Sequence, residues 1–436
     1  LLNLCKGTIE TFKVNSEAEI HDLIATWHPN ECILSENQKI SLDIPITYRP
    51  NWDFNHESCY QLICEHFKVL NLYAFGCEQI PSVICAVGGL LQYVQLTQHL
   101  NVQNIHDLFA RKTDHYIEID ANTRKHLDLV EKNDSSKVVL FDLINKTKTA
   151  MGSRLLKKWC NQPIRNVPEL NRRYDTIDFF SKNNISHKIA TLLKGVSDIE
   201  RTVTRIVNET AKPRELIFLA ESISKIPDLY NLISQGPDWL IHDSNPQEHI
   251  QKIIFNTLDR NFIMGETQDG YEIKSGINSL LDDSRQKSDS HEFIVKFEES
   301  ERRKLNYQKL KVGYNRVQGY YFEISKTANI TPPAYYQRKQ TLKSSERYVT
   351  DELSMFEQKI MSAKFQQEQL EKEIYRQLLL NLKKEVNKIR ILSSTIALID
   401  VMQSLTFACC EYNWHRPQLV NRSGIQFQNG RHPMVE

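Results

Sequence analysis

Motifs that cradle phosphates or carry out hydrolysis are missing from this sequence of 436 residues. None of its 14 glycines lies in a G-x-x-x-x-G-K-[ST] loop, and no G-x-G-x-x-G segment precedes a predicted helix. The nucleophile elbow G-x-S-x-G and the metal-binding pair H-E-x-x-H are missing as well. We therefore predict that these residues carry no catalytic site, no metal site and no cofactor of their own.

An excess of one charge, long apolar runs and a disulfide framework are also missing. The 55 Lys and Arg against 54 Asp and Glu leave a net charge of +1, which argues against a uniformly basic nucleic-acid binder. No run approaches the ~20 apolar residues that cross a bilayer, and Leu1 to Lys6 lack the pattern of a signal peptide. The nine cysteines are scattered, as is typical of reduced thiols. The sequence predicts a soluble, cytoplasmic protein without a membrane partner.

Hydrophobic periodicity separates an α/β start from a helical body. The segments TIETFKV at 8–14 and ECILS at 31–35 have strand character, and apolar residues at three-four spacing predict helices over 57–72 and 84–100. From Thr123 to Ser234 the helical spacing dominates. A chain of this length is expected to form two to four domains. The pattern therefore predicts a multidomain, mainly α fold with a partial α/β domain at its start.

The periodicity changes abruptly after residue 310. In KVGYNRVQGYYFEIS at 311–325 apolar and aromatic residues alternate on both sides of a bend that contains Gly319, which predicts a β-hairpin. Between Thr350 and Asn413 there is neither proline nor glycine, and the apolar spacing predicts one or two long helices. Thr350 is the predicted N-cap of the first of them.

Basic side chains are concentrated in and just after this hairpin, where only Glu323 and Glu346 oppose them. Such a local patch on a neutral chain fits phosphate contacts, because each neutralised phosphate releases condensed counterions. The alternative is a solvated hairpin with ordinary surface lysines. The predicted DNA-backbone-binding residues are Lys311, Asn315, Arg316, Lys326, Arg338, Lys339, Lys343 and Arg347.

Two possible metal clusters near the start of the chain are weaker hypotheses. In HESCYQLICEH the residues His56, Cys59, Cys64 and His66 offer soft zinc ligands. On a helix, however, side chains five residues apart point about 140° from each other, so tetrahedral closure requires a loop. Asp43, Asp53, Glu57 and Glu65 could imitate a two-metal nuclease site, but scattered surface carboxylates are far commoner. Buried cysteines and surface acids are the favoured interpretation of both.

Several segments, taken in chain order, resemble signature segments of bacterial-type MutS DNA mismatch repair proteins. The long ones are TKTAMGSRLLKKW at 147–159, KVGYNRVQGYYFEISK at 311–326, RKQTLKSSERY at 338–348 and GRHPMVE at 430–436. LLQYVQLTQ at 90–98 and DIERTVTRI at 198–206 fit the same pattern. Arg154 and Arg201, within MGSR and DIER, are expected to tie helices together.

The resemblance implies an interior fragment with a definite domain order. Residues 1–108 correspond to an incomplete connector domain with a ribonuclease-H-like fold, and 262–352 to a small β-containing clamp. Residues 109–261 and 353–424 correspond to a lever of long helices in which the clamp is inserted, and 425–436 to the start of an ATPase domain. The domain that reads mismatches lies outside these residues.

The function that follows from the resemblance is to clamp duplex DNA and relay signals within a mismatch recognition ATPase. In the family, clamp residues contact the DNA backbone rather than bases. ATP and magnesium, a homodimer and a MutL-type partner are implied for the full-length protein, whereas this fragment is expected to be a monomer. The alternatives are a MutS paralogue that acts in recombination without reading mismatches, and a structural coiled-coil protein, although the stretch after Thr350 keeps no sustained heptad.

Overall fold

The chain forms two compact units in the computed structural model. One consists of Leu1–Phe255 together with Leu379–Glu436, and the other is Asn256–Leu378, so the second unit is inserted in the sequence of the first. The architecture is mainly α and multidomain, with 58% helix and a few small sheets, as the sequence predicts. The structure describes residues 1–4, 7–12, 14, 16–98, 105–110, 116–117, 119–130, 138–240, 247–266, 270–288, 291–315, 319–328, 331–420 and 424–435.

The first unit begins with an α/β segment. Strand β2 pairs antiparallel with β1 and parallel with β5, while β3 and β4 form a separate parallel pair. Ser16 and Asn55 cap α1 and α2 with their side-chain oxygens, and a core that includes Ile9, Ile63 and Leu91 fills the interior. The predicted strands and helices of this segment are present, but the helix predicted over 57–72 ends at Phe67. Its elements are β1 (Leu2–Asn3), β2 (Thr8–Thr11), α1 (Glu17–Trp27), β3 (Cys32–Ser35), β4 (Ile46–Arg49), α2 (His56–Phe67), α3 (Pro81–Gln98) and β5 (Asp107–Ala110).

Helices make up the rest of the first unit. They are α4 (Ala121–His126), α5 (Leu140–Ile144), α6 (Ala150–Asn161), α7 (Val167–Ser181), α8 (Ile185–Leu193), α9 (Ile199–Val207), α10 (Pro213–Ser224), α11 (Ile226–Ile233), α12 (Glu248–Thr257) and α17 (Val386–Glu411). Helix α17 packs against α5 to α9 and is buried over most of its middle, from Ile396 to Thr406. By length and composition alone it could cross a membrane, but 67% of its most apolar window is buried inside the structure, as in the core helix of a soluble protein.

Of the two arginines that were expected to tie helices together, Arg154 does so on the surface of this unit, whereas Arg201 pairs with Asp198, the N-cap of its own helix α9. Arg154 of α6 donates to Asp198 at 2.8 Å and to Glu200 of α9 at 2.8 Å. Arg201 lies 3.4 Å from the same Asp198 carboxylate. The hydrogen bonds that Arg154 donates to these carboxylates raise its pKa, so the guanidinium remains charged and joins α6 to α9.

The second unit contains α13 (Arg260–Met264), α14 (Ser279–Ser288), α15 (His291–Leu305), four strands, and most of α16 (Asp351–Lys384). The strands are β6 (Lys311–Asn315), β7 (Gly319–Ser325), β8 (Gln337–Thr341) and β9 (Ser345–Val349). The first two are the predicted hairpin, and the amide of Leu353 donates to Thr350 Oγ1 at 3.2 Å, which confirms the predicted cap of α16. A core of Phe297, Phe322, Tyr348 and Leu353 joins the sheet to α15 and α16.

Candidate nucleic-acid interface

The predicted phosphate-binding residues gather on the sheet of the second unit, in which all neighbours are antiparallel and the strand order is β6-β7-β9-β8. Arg316 lies outside the described residues. Lys311 and Asn315 begin and end β6, Lys326 follows β7, Arg338 and Lys339 lie in β8, Lys343 lies between β8 and β9, and Arg347 lies in β9. The structure thus brings seven of the eight predicted residues to one sheet and its margins.

The register of the strands divides the sheet into two faces. One row of cross-strand neighbours is Lys311, Glu323, Arg347 and Gln340. The next row is Val312, Phe322, Tyr348 and Arg338. Because Phe322 and Tyr348 belong to the hydrophobic core, the second row defines the core face and the first row the outer face. Neighbouring strands lie about 4.8 Å apart, so the outer row extends roughly 14 Å across the sheet.

The charges of the outer row do not cancel one another. Glu323 lies between Lys311 and Arg347 in the register, but its Oε1 accepts a hydrogen bond from Ser345 Oγ at 2.6 Å. Within the described part of the sheet, no ion pair joins Glu323 to either cation. The serine holds the one carboxylate of this row by a hydrogen bond that does not neutralise it, so two cations and one carboxylate leave the row with a formal net charge of +1.

Arg338 has a different environment, since it lies in the core-face row at the edge of the sheet. Its Nη1 is 3.5 Å from Glu346 Oε1, and the hydroxyl of Tyr348 donates to the same carboxylate. The hydrogen bond from Tyr348, with the charges of Arg338 and Lys326, holds the pKa of Glu346 below its usual value. Glu346 is thus ionised near two of the predicted phosphate ligands and offsets part of their charge.

Lys339 is the extra residue of a β-bulge in β8. The register passes from Arg338 opposite Tyr348 directly to Gln340 opposite Arg347. A bulge bends its strand and changes the direction of the side chain it adds. The sequence has no glycine or proline at this point that would have predicted it.

Helix α15 supports the sheet through two carboxylates. Glu298 Oε2 accepts a hydrogen bond from the Val312 amide at 2.9 Å. The buried Glu301 accepts one from the Tyr336 hydroxyl at 2.9 Å and one from Lys304 Nζ at 2.7 Å. Burial and the bond to Glu301 raise the pKa of Tyr336, so the phenol stays protonated and keeps donating. These bonds fix the segment before β8 and the start of β6.

The two metal hypotheses find no support in the positions of their side chains. Cys59 Sγ lies 3.3 Å from the carbonyl oxygen of Asp53, and His66 Nε2 lies 2.7 Å from that of Ile105. Burial raises the pKa of Cys59 to about 11, so it remains a thiol. Among the residues that were described, no group of three or more His, Cys, Asp or Glu side chains is placed to hold a metal ion.

Three further residues of the outer face were not among the predicted ones. Gln340 completes the outer row, and Tyr321 is the direct neighbour of Gly313 on the same face. The sequence does contain a signal for Tyr321 and Gly313. The residues of KVGYN and GYYFE alternate between the two faces of the hairpin, and its register places Gly313 opposite Tyr321. Gln340 carries no charge, so the local concentration of cations in the sequence does not point to it.

A mainly α, multidomain chain that carries one local basic sheet has the charge pattern that is typical of nucleic-acid-binding proteins. Comparison with family models makes this specific: the model of MutS domain II matches residues 1–106, and that of MutS domain III matches residues 122–406. The second match alone covers more than half of the chain. The chain belongs to the MutS family of DNA mismatch repair proteins.

Proposed function

We propose that the sheet β6–β9 clamps duplex DNA through its backbone phosphates during mismatch repair, and that the helical first unit relays this contact to the rest of the protein. The observation that carries the proposal is the charge of the sheet region. Residues 311–347 contain seven Lys and Arg against two Glu, on a chain whose net charge is only +1. Local positive charge of this kind is the electrostatic footprint of phosphate binding.

The chemistry of the exposed side chains favours phosphates over bases. Lys311, Lys326 and Lys343 are exposed at strand ends or turns. The ammonium group of a lysine lies at the end of a flexible side chain, so it can bind an anion without a fixed geometry. Reading bases requires paired donors and acceptors that enter a groove. We therefore expect an affinity that depends strongly on salt and weakly on sequence.

The test is a fluorescence anisotropy titration of a labelled duplex with the 436-residue chain at several salt concentrations. If about four phosphates are neutralised, log K falls with log salt at a slope of about −3.6. Replacement of Arg338, Lys339 and Lys343 together by glutamate should weaken binding to every sequence alike and flatten the slope.

A matched control comes from the second unit, which also contains the sheet. Lys364 and Lys372 are exposed on α16, so the double variant Lys364→Glu, Lys372→Glu reverses two charges and leaves the residues of the sheet unchanged. This variant should bind within about twofold of wild type. Wild-type affinity and slope in the triple variant, or an equal loss in the control, would place the DNA contacts elsewhere in the chain.

Further properties of this protein are inferred from its family alone. We infer ATP and magnesium as cofactors, a homodimer, a MutL-type partner and a cytoplasmic location, while the 436 residues alone should be monomeric. The sequence contains no G-x-x-x-x-G-K-[ST] segment, so its own residues do not fit the nucleotide, and any ATP chemistry would belong to residues outside it. Sedimentation equilibrium at micromolar concentration tests the oligomeric state, with 51.0 kDa expected for the monomer.

A further inference from the structure

Arg347 is held against the outer face by two contacts. Its guanidinium carbon lies 4.2 Å from the centroid of the Tyr321 ring, and Nη1 donates to Gln340 Oε1 at 3.0 Å. Within the described residues, the second terminal nitrogen, Nη2, donates to no other side chain. One arm of the guanidinium is therefore fixed on the protein, and the other arm is left for an external acceptor.

The platform under Arg347 depends on a glycine. Gly313 and Tyr321 face each other across the β6–β7 ladder, and a Cβ at residue 313 would lie 2.7 Å from Tyr321 Cζ. The ring therefore occupies space that any other residue at position 313 would fill. In this position Tyr321 is the diagonal neighbour of Arg347, which pairs with Glu323 two residues further along β7. The aromatic face attracts the cation and fixes its direction.

Gln340 places a second donor beside this arm of Arg347. Because its carbonyl oxygen accepts from Arg347, its amide nitrogen is on the opposite branch of the side chain. In the described part of the chain this nitrogen donates to no protein acceptor. Two neighbouring groups, Arg347 Nη2 and Gln340 Nε2, thus offer N–H donors, and the nearby carboxylate of Glu323 is held by Ser345.

We propose that Arg347 and Gln340 form a preorganised seat for one backbone phosphate of duplex DNA, and that Tyr321, lying on Gly313, is a positioning residue for this seat. The inference rests on the proposed function and names the residues that give it geometry. A phosphate oxygen accepts charge-assisted hydrogen bonds from the guanidinium, and a guanidinium that is already held loses little freedom on binding. Because one arm of the guanidinium is bound to Gln340, Arg347 lacks the pair of free terminal nitrogens that makes the usual bidentate contact to guanine, which favours phosphate as the ligand.

The test compares five variants of the 436-residue chain in the anisotropy titration, each with its melting temperature. Arg347→Gln should lose about tenfold in affinity and reduce the magnitude of the salt slope by about 0.9. Tyr321→Leu should lose about two- to fivefold with an unchanged slope, because the charge remains but its direction is lost. Tyr321→Phe keeps the ring face and should bind like wild type. A residue that only stabilises the fold would not separate affinity from slope in this way.

Gln340→Glu gives a second measurement that does not depend on a stable Tyr321→Leu variant. The new carboxylate pairs with Arg347 and places a negative charge at the seat, so affinity should fall about tenfold while the melting temperature is maintained. Gln366→Glu, an exposed residue on α16, makes the same change away from the sheet and should alter affinity by about twofold at most.

The inference is overturned if Gln340→Glu binds no more weakly than Gln366→Glu, or if Tyr321→Leu melts normally and binds like wild type. If the triple glutamate variant of Arg338, Lys339 and Lys343 nevertheless binds DNA more weakly than wild type, either result would contradict the seat but not the proposed function. A wild-type chain that does not bind duplex DNA, or a triple variant without effect, would instead contradict the proposed function itself.

Discussion

Asp400 on α17 and Gly152 on α6 are in such close contact that no side chain fits at residue 152, where a Cβ would lie 2.8 Å from Asp400 Cγ. The buried carboxylate accepts hydrogen bonds from the amides of Lys148 at 2.9 Å and Thr149 at 2.8 Å. Thr149 in turn caps α6 by accepting from the Gly152 amide at 3.0 Å. A single carboxylate thus joins the first turn of α6 to the core helix of the first unit.

Gly152→Ala is expected to destabilise the first unit by about 2–3 kcal/mol, because the added methyl group must displace Asp400 and weaken its bonds to the start of α6. Urea unfolding followed by circular dichroism measures the change. Lys157→Ala, at an exposed position of the same helix, is the control and should stay within about 0.5 kcal/mol of wild type. A Gly152→Ala chain as stable as this control would show that α6 shifts freely to accommodate the methyl group.

The ion pair between Arg154 and Asp198 predicts a pH dependence of stability. Burial alone would raise the pKa of Asp198, but hydrogen bonds and charge from Arg154 outweigh it and lower the pKa. A lowered carboxyl pKa means that the stabilisation is present above the unfolded value of about 3.9 and is lost as pH falls through the folded value. At pH 7 Asp198→Asn should cost about 1 kcal/mol, since Arg154 is partly exposed and asparagine still caps α9.

Urea unfolding of the wild type and of Asp198→Asn across pH 2–7 checks this prediction, and the free-energy difference should shrink as pH falls below about 4. Glu221→Gln, which removes an acidic side chain from α10 of the same unit, serves as a control for general charge effects. A difference between wild type and Asp198→Asn that is independent of pH would mean that Asp198 acts through its cap alone.

Glu301 is the buried carboxylate on which the segment before β8 depends. Tyr336→Phe removes the hydroxyl that donates to it at 2.9 Å and should destabilise the second unit by about 1–2 kcal/mol, because a buried acceptor loses a partner. Thermal unfolding measures the effect. Tyr314→Phe removes a hydroxyl from a tyrosine that is 54% exposed and should be nearly neutral. Equal melting temperatures for the two variants would contradict a structural role for the Glu301 network.

Local patterns predicted the elements of this fold well but not the contacts between them. The β6–β7 hairpin, the cap at Thr350 and the helices between Thr123 and Ser234 follow from periodicity and capping, which are properties of neighbouring residues. The stretch 236–286 is polar and only weakly patterned in the sequence, yet it contains α12, α13 and most of α14. Part of the reason is that the buried Arg285 finds its partner, Glu371, far away in the sequence at 2.8 Å, and no local window contains both.

The candidate interface, too, was predicted from the sequence only in part. The cations of 311–347 were visible as composition, and seven of the predicted residues lie on the sheet or at its margins. Their division into an outer and a core face, the bond of Arg338 to Glu346, and the seat formed by Arg347 and Gln340 depend on strand register and on the bulge at Lys339. These follow from pairing across strands that the sequence alone left undetermined, because β8 gave no alternating apolar signal.

Nucleotide should leave the stability of these 436 residues unchanged. A ligand raises the melting temperature only if it binds the folded chain, and the sequence has no phosphate-binding loop for ATP. Differential scanning fluorimetry with saturating ATP and magnesium, repeated with a non-hydrolysable analogue, checks this. A reproducible rise of several degrees with both nucleotides would reveal a site that the motifs do not.

The last prediction is that this chain binds a duplex with one G·T pair as tightly as the fully paired duplex, within about twofold. The warrant is that its basic sheet meets phosphates, which fix position without carrying sequence information, and that Tyr321, the aromatic ring of the outer face, is covered by Arg347. An inserted ring would be needed to favour an unstacked step. Anisotropy titrations of the two duplexes at one salt concentration give the ratio of the two affinities.

A tenfold preference for the G·T duplex would overturn the prediction. The exposed rings of Tyr314 and Tyr335, which are 54% and 45% accessible, would then be the candidates for reading the mismatch. Replacing each by alanine would then show which ring reads the mismatch, since only the one that enters the duplex should abolish the preference while leaving the salt slope unchanged.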